Sequence, residues 1–293
     1  MKKIIKKVLI FFLIEFRFII IFEKKLLRFR SLKINNKSIL PFLRYNVFDK
    51  FMISLYYNNY YKNLNNPKKQ IEISKRYNQS GDGLLLAKEY YKNPSRGHRK
   101  SSILFYRHVE NLINEKNLNN TQTYFMNFGS SSGLDILNFR EKYEKINYIS
   151  CDTDNNSIQF QSQVSLKKFP NIEYTTDSLE VVCKNIKKIL DKNSEKKIIF
   201  FTNNTLQHNI PSLIVELYEN LKQIKNDFYF CAIEKLKLNV KESQLSEHIN
   251  YVQWHHDLKK YAQKYEFKTF FYERMNIKKD IEDYQKIIFS NLG

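Results

Sequence analysis

The apolar stretch TYFMNF (123–128) runs into Asn127-Phe128-Gly129-Ser130-Ser131-Ser132-Gly133-Leu134-Asp135, and ILNFREKYEK, which has helical composition, follows. A strand, a small-residue turn and a helix start bring backbone N–H groups close to a ligand, with Gly or Ser required where a Cβ would collide. An ordinary tight turn between a strand and a helix accounts for the same residues, so the reading needs a second group. Asp152 provides one. It stands 19 residues after Gly133, beside Thr153 and at the end of the next apolar run, INYISC (146–151). That interval is close to the one at which a carboxylate meets the two hydroxyls of a ribose. A third run, NIEYTT (171–176), ends in Asp177 and Ser178, where a polar side chain can meet an adenine amino group.

Proton removal near neutral pH is the task for which histidine is best tuned. Of six histidines, two adjoin in Trp254-His255-His256-Asp257. His255 or His256 is the first choice for a general base, with Asp257 as its orienting partner or as a helix N-cap. His208, after the run KIIFFT (197–202), is the second choice or a wall of the ligand pocket. Adjacent histidines at a helix start are also often surface residues, and this pair could bind a metal only with ligands from elsewhere, so no metal site is assigned. Arg96, His98 and Arg99 can reach an anionic acceptor or form a solvated turn. Cys151, Cys183 and Cys231 are far apart without a CxxC pair, which fits buried free thiols rather than disulfides or zinc.

The elements that must position these groups are apolar runs alternating with helical stretches, the pattern of βαβ units around a parallel sheet. To the four runs above are added FYFCAI (228–233), FKTFFYE (267–273) and YQKIIFS (284–290), and only a short polar stretch separates the last two. The fold class expected is α/β: a seven-stranded, mostly parallel sheet with helices on both faces and an antiparallel C-terminal hairpin, preceded by a helical N-terminal region. The divisions are an apolar and basic helix over 1–30, a basic linker or helical region over 31–82, a helical cap over 83–120, and the α/β domain over 121–293.

The formal net charge is +19, which suggests nucleic acid. Its distribution argues otherwise. Residues 1–80 carry 18 Lys/Arg against 4 Asp/Glu, whereas residues 121–293 carry 24 against 22. The stretch VLIFFLIEFRFIIIF (8–22) follows four lysines but is interrupted by Glu15 and Arg17. It is shorter and more polar than the roughly 20 apolar residues of a spanning helix, and no small-residue cleavage site follows it. Attachment to an anionic membrane surface and packing on the protein or on a second subunit are the alternatives. The number of subunits is not legible.

With these residues in place, the chain resembles the class I, Rossmann-like S-adenosylmethionine-dependent methyltransferases over about 170 residues. The resemblance implies S-adenosylmethionine as cofactor. Asn127, Gly129, Ser131, Gly133 and Asp135 would form the first loop, Asp152 and Thr153 the ribose side, and Asp177 and Ser178 the adenine side. Asn203 would lie in the loop under the methyl donor. The family usually has an acid where Asn127 stands and a glycine where Ser131 stands; Asn127 can accept a hydrogen bond from the donor's amino group but lacks the charge of a carboxylate facing an ammonium. The helical region ahead of the core and the Trp254–Leu258 segment are similar to sugar O-methyltransferases of bacterial polysaccharide clusters. The implied function is methyl transfer to a small hydroxylated acceptor, a sugar or glycan, in the cytoplasm or at the inner membrane face. The absence of Asn-Pro-Pro-Tyr after the fourth strand argues against base-nitrogen methylation.

Two other readings stay open: an RNA or protein methyltransferase docking through its basic N-terminal arm, and a non-catalytic scaffold. Removal of residues 1–80 is expected to abolish membrane association and to leave small-acceptor transfer intact, whereas loss of RNA binding in the truncated chain would favour the docking arm.

Overall fold

Runs rich in Ile, Phe and Tyr form the strands of one mixed sheet: β1 Thr123–Phe128, β2 Asn147–Cys151, β3 Ile172–Thr175, β4 Lys197–Asn203, β5 Phe228–Leu236, β6 Lys268–Lys278 and β7 Glu282–Ser290. Their order is β6-β7-β5-β4-β1-β2-β3. Pairs β1–β2, β1–β4, β2–β3 and β4–β5 are parallel, while β7 lies antiparallel between β5 and β6. The α/β class, the seven strands and the antiparallel C-terminal pair expected from the sequence are all present. The computed structural model describes residues 82–93, 100–182, 195–236, 245–250, 253–278 and 282–292, and the strands Lys33–Ile34 and Lys37–Ser38.

Two compact units divide the chain, one of residues 1–81 with 250–252 and one of residues 82–249 with 253–293. In the first, the two short strands form an antiparallel pair, Lys33 opposite Ser38, within a stretch expected to be linker or helix. The apolar stretch 8–22, the Arg96–Arg99 turn and Cys183 lie outside the described residues. Among the described residues no helix is long and apolar enough to cross a membrane.

Strand alternation sorts the core of the second unit into two faces. Phe125 of β1, Ile199 and Phe201 of β4, and Tyr229 and Cys231 of β5 share one face by register. The helices α1 Asp82–Lys92 and α2 Lys100–Glu115 precede the sheet, and α3 Leu134–Arg140 follows β1. The helix α2 lies in the 83–120 region expected to be helical and packs on this face. Its stripe Phe105, Tyr106, Val109 and Ile113 is buried in the same apolar cluster as Phe125 and Phe201, because helical spacing puts these residues on one side. On the opposite face the rings of Phe200, Phe230 and Phe289 stack in series, 5.2 and 4.6 Å between centroids. The helix α5 Pro211–Lys222 covers them with Tyr218. Between β2 and β3, α4 Asn155–Phe160 continues into a π-helical turn, Gln161–Ser165.

Phe201 is fully buried and touches Phe105, Tyr106, Phe125 and Phe139. Phe201→Ala is expected to cost about 3–5 kcal/mol of unfolding free energy, measured by urea denaturation.

Candidate ligand-binding site

The carboxyl ends of β1, β2 and β4 carry the chemistry-bearing groups to one edge of the sheet, where open α/β sheets bind ligands. After β1 the chain turns through Gly129 and Ser131, both in the left-handed region at φ +74° and +45°, to Gly133, which caps α3 at φ +76°. Asp152 fastens this turn. Its Oδ2 accepts the Ser131 N–H at 2.8 Å and its Oδ1 accepts the Asp154 N–H at 2.9 Å. Burial raises its pKa, against the pull of those amides. Each oxygen keeps acceptor capacity beyond the one amide it takes. Thr153 sits half-buried beside it, and Asp177 and Ser178 lie half-buried just past the end of β3.

The two glycines are required by the packing of the fold itself. A Cβ on Gly129 would lie 2.0 Å from Thr205 Oγ1, and one on Gly133 would lie 2.9 Å from Leu166 Cδ1. The space is taken by side chains of the fold itself. Gln161 of the π turn ties the loop further: its Nε2 donates to Ser130 Oγ and to the Ser131 carbonyl, each at 2.9 Å, and its Oε1 accepts from Ser150.

At the end of β4, Asn203 Nδ2 donates to Asp135 Oδ1 at 3.3 Å, and Tyr106 of α2 donates its hydroxyl to the same oxygen. Asn127, buried at the end of β1, turns its Nδ2 toward Asp135 Oδ2. Its Oδ1 has no hydrogen-bond partner among the described residues. Sequence reasoning missed Tyr106, since one tyrosine among 20 carries no signal.

Glu234 was also missed, although a carboxylate in the apolar run FYFCAIEKL is a visible anomaly. It is buried, and its Oε1 accepts from Thr202 Oγ1, the Thr205 N–H and the Leu206 N–H at 3.2, 2.9 and 3.0 Å. These bonds hold the 3₁₀ turn Leu206–His208 and, through Thr205, the contact with Gly129. Burial pushes the Glu234 pKa up to about 7 against those donors.

His256, one of the two first choices for a base, ends the short strand Gln253–His256, which is laddered with Ser246–Asn250 and leads into a helix start at Asp257. The His256 ring is buried, with Nε2 3.0 Å from the Asn209 carbonyl and Nδ1 2.8 Å from Ser246 Oγ. A carbonyl only accepts, so Nε2 carries the proton and Nδ1 accepts from Ser246. Burial lowers the pKa to about 4. The ring is a strut between two segments. Asp257 is the N-cap of α6 Leu258–Lys264, accepting from the Lys260 N–H at 3.1 Å, and His255 is buried on the same short strand. His208 remains near the edge, past Asn203, with Nδ1 unpartnered among the described residues and its pKa lowered to about 4 by burial. Cys151 and Cys231 are buried free thiols, and burial raises both pKa values, that of Cys151 to about 12. Among the described residues no three His, Cys, Asp or Glu side chains cluster to hold a metal.

Between the pH where an ordinary glutamate ionises, near 4.5, and about 7, the unfolded chain releases a proton that folded Glu234 keeps. Stability from this group therefore falls as pH rises through that window and levels off above it. Between pH 5 and 8 the native protein is expected to lose on the order of 1–3 kcal/mol relative to Glu234→Gln. Urea denaturation at both pH values checks this, and an equal difference at the two would contradict it.

No protein-family model matches the chain, and no curated protein sequence does. Solved structures do. The 1,6-didemethyltoxoflavin-N1-methyltransferase of Burkholderia thailandensis is 12% identical, with 57% of this chain and 70% of that one covered and a TM-score of 0.42. A SAM-dependent methyltransferase from Aquifex aeolicus is 9% identical, with 62% and 89% covered and a TM-score of 0.41. The [4+2]-cyclase SpnF is 6% identical, with 62% and 79% covered and a TM-score of 0.46. The strand order, with β7 antiparallel between β5 and β6, makes a mostly parallel, Rossmann-like α/β sheet that ends in an antiparallel pair.

Proposed function

We propose that the chain binds S-adenosylmethionine at the carboxyl ends of β1, β2 and β4 and transfers its methyl group to a small hydroxylated acceptor. The observation that supports this most is Asp152. Its two oxygens are held by the amides of Ser131 and Asp154 at the end of the second strand, in register with β1 and its turn. The unpartnered Asn127 Oδ1 beside Asp135 fits the donor's amino end. When bound, the donor supplies an electrophilic sulfonium methyl.

The chain's own residues then have two tasks. The first is alignment, since displacement at a methyl carbon is governed by the placing of the acceptor. Asp152 fixes the nucleoside end and the Glu234-held turn forms the wall beyond β4. The second is removal of the acceptor's proton. His208, the second choice from the sequence, is neutral at pH 7 with its pKa lowered to about 4 by burial, but Gln207 Nε2 lies 3.4 Å from its Nε2, so that nitrogen accepts and the unpartnered Nδ1 carries the ring's proton, which leaves this task unassigned among the described residues. The narrower reading, O-methylation of a sugar or glycan, draws on the sequence likeness of the Trp254–Leu258 segment.

Calorimetric titration of the full chain with S-adenosylhomocysteine tests the donor. Binding is expected, and Asp152→Ala is expected to weaken it by about 1.5–3 kcal/mol, as for hydrogen bonds lost from a charged group. No heat and no thermal shift at millimolar ligand would end the proposal.

A further inference from the structure

Glu234 holds the turn after β4 with one oxygen only. Thr202 Oγ1 and the Thr205 and Leu206 amides all meet its Oε1, at 3.2, 2.9 and 3.0 Å, while Oε2, also buried, has no hydrogen-bond partner among the described residues. A glutamine carries the same amide-accepting oxygen and would hold the turn with no charge to desolvate. The turn therefore accounts for Oε1 and leaves the second oxygen and the acidity unexplained. No ion pair accounts for them either, since Glu234 has no ion-pair partner among the described residues.

The groups that the packed elements bring to it are neutral. Strand pairing sets Gln285 of β7 beside Glu234, and Thr202 comes from β4. His208 on the turn and His256 on the strand Gln253–His256 are both uncharged at pH 7, burial having lowered each pKa to about 4. Lys235, the next residue of β5, falls on the other face by alternation. With its pKa raised to about 7 by burial, Glu234 is poised between acid and carboxylate at neutral pH, the range suited to exchanging a proton. A unit positive charge within about 10 Å, at an effective dielectric of about 20, moves such an equilibrium roughly 10-fold or more. The turn that Glu234 holds follows Asn203, at the edge where the donor's sulfonium is expected.

We propose that Glu234 is the counter-charge of the donor's reacting end, ionised while a sulfonium occupies this edge and protonated again once the sulfur is neutral. This rests on the donor-binding reading above. It also balances transfer to a hydroxyl. The C–S bond breaks with its electron pair left on sulfur, an O–C bond forms, the acceptor's O–H bond breaks, and the proton released goes to Glu234 Oε2.

Calorimetry of the full chain at pH 7, in two buffers of different ionisation enthalpy, counts the protons exchanged on binding. S-adenosylmethionine and S-adenosylhomocysteine share the adenosine, ammonium and carboxylate, so their difference isolates the sulfonium charge. S-adenosylmethionine is expected to release about 0.3–0.5 proton more than S-adenosylhomocysteine, and its affinity relative to that ligand to rise roughly fivefold from pH 6 to 8. In Glu234→Gln both effects should vanish while both ligands still bind, and the comparison of the two ligands in the unaltered chain tests the inference even where that variant is unstable. Equal proton release by both ligands, or a difference that persists in Glu234→Gln, overturns the inference and leaves the donor reading standing. Failure of the unaltered chain to bind S-adenosylhomocysteine overturns both.

Discussion

The parallel pairing of β1 with β2 on one side and β4 on the other is the constraint from which the site follows. Register sets Phe128 beside Cys151 and Thr202, so the three strands end together and their outgoing loops crowd one edge. Asn127, Asp152 and Asn203 are at that edge because each ends its strand or follows it. Strand alternation then selects faces. Asn127 and Asn203 fall on the side covered by α2 and α3, where Tyr106 and Asp135 wait, while Thr202 and Glu234 fall on the other. One ladder thus builds a cluster of amide and phenol donors around Asp135 on one face and the Glu234 anchor on the other.

The first loop shows how such an edge tolerates an unfavourable residue. A non-glycine residue in the left-handed region costs about 1–2 kcal/mol, and Ser131 adopts it. Its amide is taken by Asp152 and its carbonyl by Gln161, two bonds that a different turn would forgo. Ser130, Ser150 and Gln161 complete a buried polar network, and networks of this kind rigidify what they join when every member is satisfied. The loop is held by side chains from β2 and the π turn rather than by glycine freedom at its centre.

Glu234 does comparable work on the far side of β4. Three donors meet one oxygen, yet burial still lifts its pKa to about 7, so desolvation outweighs the hydrogen bonds. The cost is matched by placement: the Thr205 and Leu206 amides it accepts set the side chain that fills the space over Gly129. The loops after β1 and β4 are therefore one mechanical unit. His256 extends it by joining Asn209 to Ser246, and Gln285 of β7 binds the His256 carbonyl and the Leu258 N–H.

The sequence by itself determined the strands, their alternation with helices and the acidic residue after β2. These rest on local periodicity and spacing, which a chain carries in one dimension. The small-residue turn was legible too, but the reason for its glycines was not, because Thr205 and Leu166 meet them only across the fold. Tertiary structure decided the rest. It inserted β7 between β5 and β6, packed α2 against the core, and spent both nitrogens of His256 on internal bonds. It also gathered Tyr106, Asn127, Asp135 and Asn203 from positions nearly 100 residues apart. A side chain's charge and partners depend on what strand register and packing bring within about 3 Å of it, and no spacing along the chain encodes that.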